Sequence, residues 1–509
     1  MMPEVTDIHG KPIHRGLILA VLLVGVFVAM LMQTALGTAQ PALMKAFDVD
    51  AATVQWLTTI FLMANGIMVP VSAFLLTRIP TKTLFIGAMT FFTLGTFLAY
   101  MAPTDMFWVL LVARVIQAMA VGALMPMMQV ISVTIFDPAS RGKVMGIGGL
   151  AIGMAPAIGP VMSGWLLDKT HHVFGLTIEA DWRNVFGIIL PLLVLVLILS
   201  FFVMRDVLPN RPIKLNVRSL IESTIGFGAI LYGFAMVSSK GWGDVTNVIL
   251  PLIVGVLVVA EFMWHQSRMA DPFLSMSVFK NKQFTLTTVL VSVVMLSMIG
   301  VQMILPIFMQ NIRGLSPLES GLTLLPGALM MGIMAPVAGA FYDKYGVKRL
   351  AQVGLLMLTI GTIPFFFLTP ETPTHYITAM YTLRMFGIAM VMMPLTTSAM
   401  SALSPDTAAQ GTAANNTMRQ IATGLGTAVL ASVLQSVTND NIPSSSLKTT
   451  NPLHFADKMA NATLTGFHAA FLLAALFAAV ALFLTFFLAP GKQVFRKSIS
   501  SENKQEEAA

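Results

Sequence analysis

Apolar stretches of about 20 residues, the length that crosses the hydrocarbon core of a bilayer, recur from one end of the chain to the other. They fall near 16–37, 54–76, 83–102, 106–130, 143–167, 184–204, 219–238, 247–266, 284–310, 320–341, 350–369, 376–400, 411–437 and 464–489. The pattern predicts an all-α membrane protein with fourteen transmembrane helices. Two stretches, 219–238 and 411–437, are rich in Gly, Ser and Thr, small residues that let membrane helices approach closely.

Composition narrows the picture in the same direction. Charged residues make up 10% of 509 and the mean hydropathy is +0.80, too few charges to cover a soluble surface. Cysteine is absent, which excludes disulfides, thiolate nucleophiles and cysteine-ligated metal. No phosphate-binding loop is present, so ATP drive is not expected. A net charge of +7 could suggest nucleic acid, but the basic residues are scattered through short connections between apolar runs. Counting alternate loops gives 18 basic residues on one side against 7 on the other. By the positive-inside rule both termini are expected in the cytoplasm, and the chain in a bacterial inner membrane. No cofactor or metal is expected; His171, His172, Asp168, Glu179 and Asp181 read as a solvated outer loop. Trp182-Arg183 should anchor the sixth helix at the interface.

The chain repeats itself. PVSAFLLTRIPTK around Pro70 aligns with PVAGAFYDKYGVK around Pro336, pairing Arg78 with Lys344 and Lys82 with Lys348 at a shift of 266 residues. Met125-Pro126 matches Met393-Pro394, and Arg114 matches Arg384, at nearly the same shift. Helices 1–6 thereby map onto helices 9–14, with helices 7 and 8 as an inserted pair. Parallel halves of this kind are a known way to build transporters. The expected organisation is an N-terminus at 1–15, a six-helix bundle at 16–204, the inserted pair at 205–283, a second bundle at 284–489 and a tail at 490–509.

Several motifs carry a family resemblance. Gly339, Asp343, Lys344, Gly346, Lys348 and Arg349 form a Gly, Asp-basic, Gly, basic-basic loop; RVIQAMAVGALMP begins at Arg114; GMAPAIGPVMSGW holds Pro156, Gly159, Pro160 and Gly164. With RGLSPLESGLTLLPGAL and QGTAANNTMRQ nearer the C-terminus, the sequence resembles the major facilitator superfamily. Within it, the fourteen-helix drug:proton antiporters of the EmrB/QacA kind are the match, the lincomycin-resistance branch above all. The resemblance implies a cytoplasmic gating loop at 339–349, with Arg78 its counterpart in the first half, and a bent fifth helix that helps select antiport.

Ionisable residues at bilayer depth are functional candidates, because each costs several kcal/mol unless it is paired. Arg114 and Arg384 each lie well inside a span and should face the bundle interior, and Arg114 can pair with Gln117 on the same helix face. Arg419 should snorkel toward a helix end. Gln33, Asn65, Gln117, Gln129 and Gln302 are the expected cavity lining. The acidic partner typical of the family is missing: Met32 occupies its position in helix 1. Glu222 and Glu261 are the nearest carboxylates, each with an i,i+4 partner in Arg218 and His265; His468 is a further proton candidate.

These features lead to an expected secondary exporter, not an enzyme, moving hydrophobic or cationic amphipathic compounds by alternating access and coupled to protons. A lipid or lipid-linked metabolite is the alternative cargo. A monomer in the lipid bilayer is expected, with no nucleic-acid partner.

Overall fold

The computed structural model describes residues 7–489 except 9, 50, 137, 174–175, 211–215, 270–271, 273–275, 404–406 and 444–450. The tail at 490–509 therefore lies outside the described residues. The first bundle comprises α1 (Arg15–Phe47), α2 (Ala51–Arg78), α3 (Thr81–Tyr100), α4 (Phe107–Ile135), α5 (Pro138–Asp168) and α6 (Arg183–Val203). A hairpin of β1 (His171–Val173) and β2 (Leu176–Ile178) connects α5 to α6. The inserted pair is α7 (Val217–Lys240) and α8 (Val245–Arg268). The second bundle comprises α9 (Lys282–Asn311), α10 (Leu318–Tyr342), α11 (Lys344–Phe367), α12 (Thr374–Ser401), α13 (Ala408–Asp440) and α14 (Pro452–Leu484). Thirteen of these are long and apolar enough to span a membrane among the described residues. The fourteenth, α2, is 28 residues long with a shorter apolar stretch at Trp56–Val69.

Each bundle has its own apolar core, one drawn from residues 18–208 and the other from 290–488. The 266-residue repeat reappears as matched hydrogen bonds. Lys82 Nζ donates to the carbonyl of Phe201 at 2.7 Å, and Lys348 Nζ to that of Phe486 at 2.8 Å. Both lysines thus cap the C-terminal end of the sixth helix in their bundle, where carbonyls lack intrahelical partners. At the other face, Arg183 Nη2 donates to the Ala102 carbonyl at 3.0 Å and His468 Nε2 to that of Leu368 at 2.6 Å. Since a carbonyl only accepts, His468 donates from Nε2, and the bond ties α14 to the residue that follows α11.

The N-terminal segment, the α2–α3 turn and the segment after α6 meet on one face. There Ile8 N–H reaches the Asp206 carbonyl and Lys82 N–H the Asp206 carboxylate at 2.9 Å. An even number of crossings brings the end of α14 back to it; we call it the terminal face. Three local expectations need correction. The first helix runs ten residues beyond 37, to Phe47, because Thr38–Gln40 does not break it. Trp182 is not an interfacial anchor but is 5% exposed, its ring 5.1 Å from that of Phe47. The signature loop is hardly a loop: α10 and α11 run on as one helical stretch, Pro317–Thr362, broken at Gly346 with φ 76 and ψ 167. Only glycine adopts that region at low cost, so Gly346→Ala should lower stability by about 1–3 kcal/mol. A fall in melting temperature of the detergent-purified protein would register it.

The halves meet along two seams. On one, α5 lies on α10 through small residues: a Cβ on Gly146 would stand 2.5 Å from Pro336 Cα, and one on Gly153 would stand 2.7 Å from Met331 Cε. Such close approach is how membrane helices gain packing contact without a hydrophobic driving force. On the other, α2 meets α13, with α7 packed against both. Leu231 of α7 there sits between Gly66 of α2 and Gly424 of α13. α8 packs on α7 and turns most of its surface outward, with Val256 and Leu257 among the exposed residues.

Candidate functional site

Arg114 lies seven residues into α4, about 10 Å along it, and is fully buried. Nη1 donates to Gln117 Oε1 at 2.9 Å, Nε donates to the Leu57 carbonyl at 3.2 Å, and Nη1 also reaches the Met32 carbonyl at 3.5 Å. Its guanidinium carbon lies 4.1 Å from the Phe61 ring centroid, within cation–π range. Gln117 passes the network on, donating to Thr96 Oγ1 at 2.9 Å. The pairing with Gln117 expected from spacing is present; Phe61 and Leu57, on α2, carry no signal in the sequence pattern.

Arg384 repeats the arrangement in the second bundle. It is fully buried; Nη2 donates to the Ser297 and Met298 carbonyls at 2.8 and 3.3 Å, and Nε donates to Thr362 Oγ1 at 3.2 Å. Met32 and Met298, and Thr96 and Thr362, are again 266 residues apart. In both halves an arginine on the fourth helix bonds a carbonyl of the first; Arg384 also bonds Thr362 of the third directly, whereas Arg114 reaches Thr96 through Gln117. Among the described residues no carboxylate pairs with either guanidinium, and one nitrogen of each, Nη2 of Arg114 and Nη1 of Arg384, has no partner. A buried cation with an unspent donor is costly unless something else meets it, which is why these two positions can do more than hold helices.

Met32, at the position where the resemblance leads one to expect an acid, is fully buried. It meets Arg114 through its backbone carbonyl, so a dipole stands in for the missing charge. Asn65 is buried on α2 facing Gly122 of α4. Gln33 and Gln302 are half-buried. Gln129 is buried and accepts from Asn416 Nδ2 of α13 at 3.2 Å. Arg419 does not sit at a helix end: it lies eleven residues into α13, about 16 Å along it, and is half-buried.

Glu222 is the one carboxylate inside a span that is buried among the described residues, with 9% exposure. Its Oε1 accepts from Arg218 Nε, one turn away, and its Oε2 meets His265 Nδ1 of α8 at 3.0 Å. Arg218 Nη2 also reaches Glu261 Oε1. The histidine thus pairs across the inserted helices rather than with Glu261 one turn before it: the cross-helix carboxylate is buried, whereas Glu261 faces outward.

In the signature segment Gly339 is buried, Lys344 lies 5.3 Å from the Tyr345 ring, Lys348 caps α14 as described, and Arg349 is exposed. The Asp343 side chain lies outside the described residues. Arg78, the first-half counterpart of Lys344, stands 6.0 Å from the Phe74 ring. On α5, Gly159 presses against α1, where a Cβ would meet the Leu31 carbonyl at 3.0 Å, and Thr34 Oγ1 donates to the Ala155 carbonyl at 3.4 Å. Gly164 is buried and Pro160 half-buried; the Pro156 side chain lies outside the described residues. The glycine–proline segment of α5 is therefore bonded to the first helix, while Gly146, Gly149 and Gly153 serve the seam with α10 and α12.

Comparison with known proteins is consistent throughout. The chain is 42% identical over 483 residues to the "uncharacterized MFS-type transporter YcnB" of Bacillus subtilis, a match covering 95% of this chain and 97% of the relative. It is 38% identical over 426 residues to the lincomycin resistance protein LmrB of the same organism, covering 83% and 86%. The crystal structure of the human organic anion transporter MFSD10 superposes with a TM-score of 0.64 over 92% of this chain and 99% of that one, at 14% identity; this likeness speaks for the fold alone. Residues 22–427 match the model of the Major Facilitator Superfamily. With two bundles repeating one another's hydrogen bonds and an inserted pair between them, the chain is a membrane transporter of the Major Facilitator Superfamily.

Proposed function

We propose that the protein is a secondary active exporter that moves amphipathic organic compounds out of the cell by alternating access. The observation that carries this reading is the seam between the halves. Among the described residues it is made of close glycine contacts and a neutral amide pair, contacts that let two bundles rock against each other at small cost. Relatives named for lincomycin and multidrug resistance support drugs as cargo. Cationic cargo must bind away from Arg114 and Arg384, whose charges no described carboxylate offsets. In cells lacking the gene, drug accumulation should rise and return on re-expression; unchanged accumulation would remove export.

Coupling to protons needs a group that titrates, and Met32 cannot. Glu222 with His265 is the candidate. In proteoliposomes, collapsing an imposed pH gradient should abolish uphill substrate movement. Glu222→Gln should lose the response to the gradient while downhill exchange persists. Gradient-driven uptake at the parental rate in that variant would leave Glu222 a structural ion-pair partner. A lipid or lipid-linked cargo is the second reading, favoured by one observation: the unpartnered Nη2 of Arg114 suits an acidic headgroup. Unchanged drug sensitivity with altered membrane lipids in the deletion strain would select it.

A further inference from the structure

The motif QGTAANNTMRQ opens α13, and its two asparagines point to different halves of the molecule. Asn415 Nδ2 donates to Thr288 Oγ1 of α9 at 3.1 Å, and so ties α13 to its own bundle. Asn416, one position and about 100° further round the helix, donates instead to Gln129 Oε1 of α4, in the other bundle. Both partners are buried, at 6% and 7% exposure. Gln129 lies near the end of α4 and Asn416 near the start of α13, so the bond sits in the part of the bundle nearest the terminal face. Gly146 of α5 meets Pro336 of α10 in the same part, on the other seam. The terminal face is thus held shut along both seams, once by shape and once by a hydrogen bond.

A neutral amide pair suits such a place. It carries no desolvated charge, it is directional enough to fix the register of two bundles, and each amide finds water once the bundles part. We propose that Asn416 and Gln129 form the gate of the terminal face, bonded while the pathway is closed there and separated when it opens. The proposal rests on the transport reading above and gives the amide pair of that seam a specific job in the cycle.

The chain has no cysteine, so Gln129→Cys with Asn416→Cys supplies the only two thiols. A short reversible bis-methanethiosulfonate should bridge them and stop ethidium flux in proteoliposomes, with recovery after dithiothreitol; the same treatment should not change whatever flux each single variant shows beforehand. Undiminished flux in the bridged protein would overturn the gate. Spin labels on the same two thiols give a readout independent of flux. Two distance populations are expected, one short and one longer by several ångströms, and a single short distance under every condition tested would overturn the proposal even if ethidium proves not to be cargo. Absence of ethidium flux in the parent alongside two spin-label distances would instead count against that cargo and leave the gate standing. Should the double variant fold poorly, Met125→Cys, one turn deeper on α4 and half-buried, keeps the amide pair intact and can be compared with Met125→Cys carrying Asn416→Ala. Removing the asparagine should speed labelling of the single introduced thiol by a membrane-impermeant reagent several-fold, and an unchanged rate would sink the idea.

Discussion

Arg114→Ala should abolish transport while leaving a folded, membrane-inserted protein. The substitution removes three donated hydrogen bonds and strands their acceptors on three elements: the Leu57 carbonyl on α2, the Met32 carbonyl on α1 and Gln117 on α4. A stranded buried acceptor costs about 1–3 kcal/mol in soluble proteins, and measured values inside membranes are nearer 1 kcal/mol. The bundle should therefore melt a few degrees lower but still fold. Function is more exposed, because among the described residues of the first bundle no other cation is buried. Arg114→Lys makes the sharper comparison. It keeps the charge but cannot reach α1, α2 and Gln117 together from one ammonium. Flux should fall about tenfold or more, equivalent to at least 1.4 kcal/mol, with little change in melting temperature. Parental flux in the lysine variant would mean that charge alone matters, and parental flux in the alanine variant would reduce Arg114 to a helix tie.

Gly146→Val is expected to be nearly as severe by a different route. The new Cβ would lie 2.5 Å from Pro336 Cα and 3.1 Å from Pro336 N. Both are backbone atoms, so no side chain can rotate aside and the helices themselves must separate. Overpacking of this kind typically costs about 1–3 kcal/mol. Here the strain falls on the seam between bundles rather than within either core, so helical content should survive while flux is lost. Gly37→Val on α1 is the control, since a Cβ there would meet nothing within 4 Å. Equal flux in the two variants would show that the α5–α10 seam tolerates separation and is not part of the transport cycle.

Most of the architecture can be read from the chain because hydrophobic runs and loop charges are local signals. Fourteen apolar stretches, the shift of 266 residues and the Arg114–Gln117 pair all rest on residues near one another or on text that repeats. Even there, tertiary context intervenes. Pro80 makes a sharp α2–α3 connection, whereas Gly346 lets α10 and α11 run nearly continuously, and a gap in the hydropathy pattern looks the same in both cases. Trp182 is misread because an aromatic at the end of an apolar run fits an interfacial anchor as well as a core residue; only the position of Phe47 decides. The pairing of His265 with Glu222 is hidden for a related reason, since an i,i+4 carboxylate competes with one on another helix and spacing shows only the first. The contact of Asn416 with Gln129 joins residues 287 positions apart, with a glutamine and an asparagine that advertise nothing except that amides in a span need partners.

The side chain of Leu231, lodged between Gly66 and Gly424, bears on how a molecule dissolved in the bilayer reaches the protein. Two rocking bundles alone would open a slit toward the lipid on each side as they part. Along α5 and α10 nothing among the described residues covers that slit, whereas along α2 and α13 the inserted pair fills it and moves with whichever bundle holds it more firmly. On the export reading, sideways entry from the membrane would then be confined to one flank. A helix pair that adds nothing to the repeat turns a two-sided clamp into a one-doored vestibule.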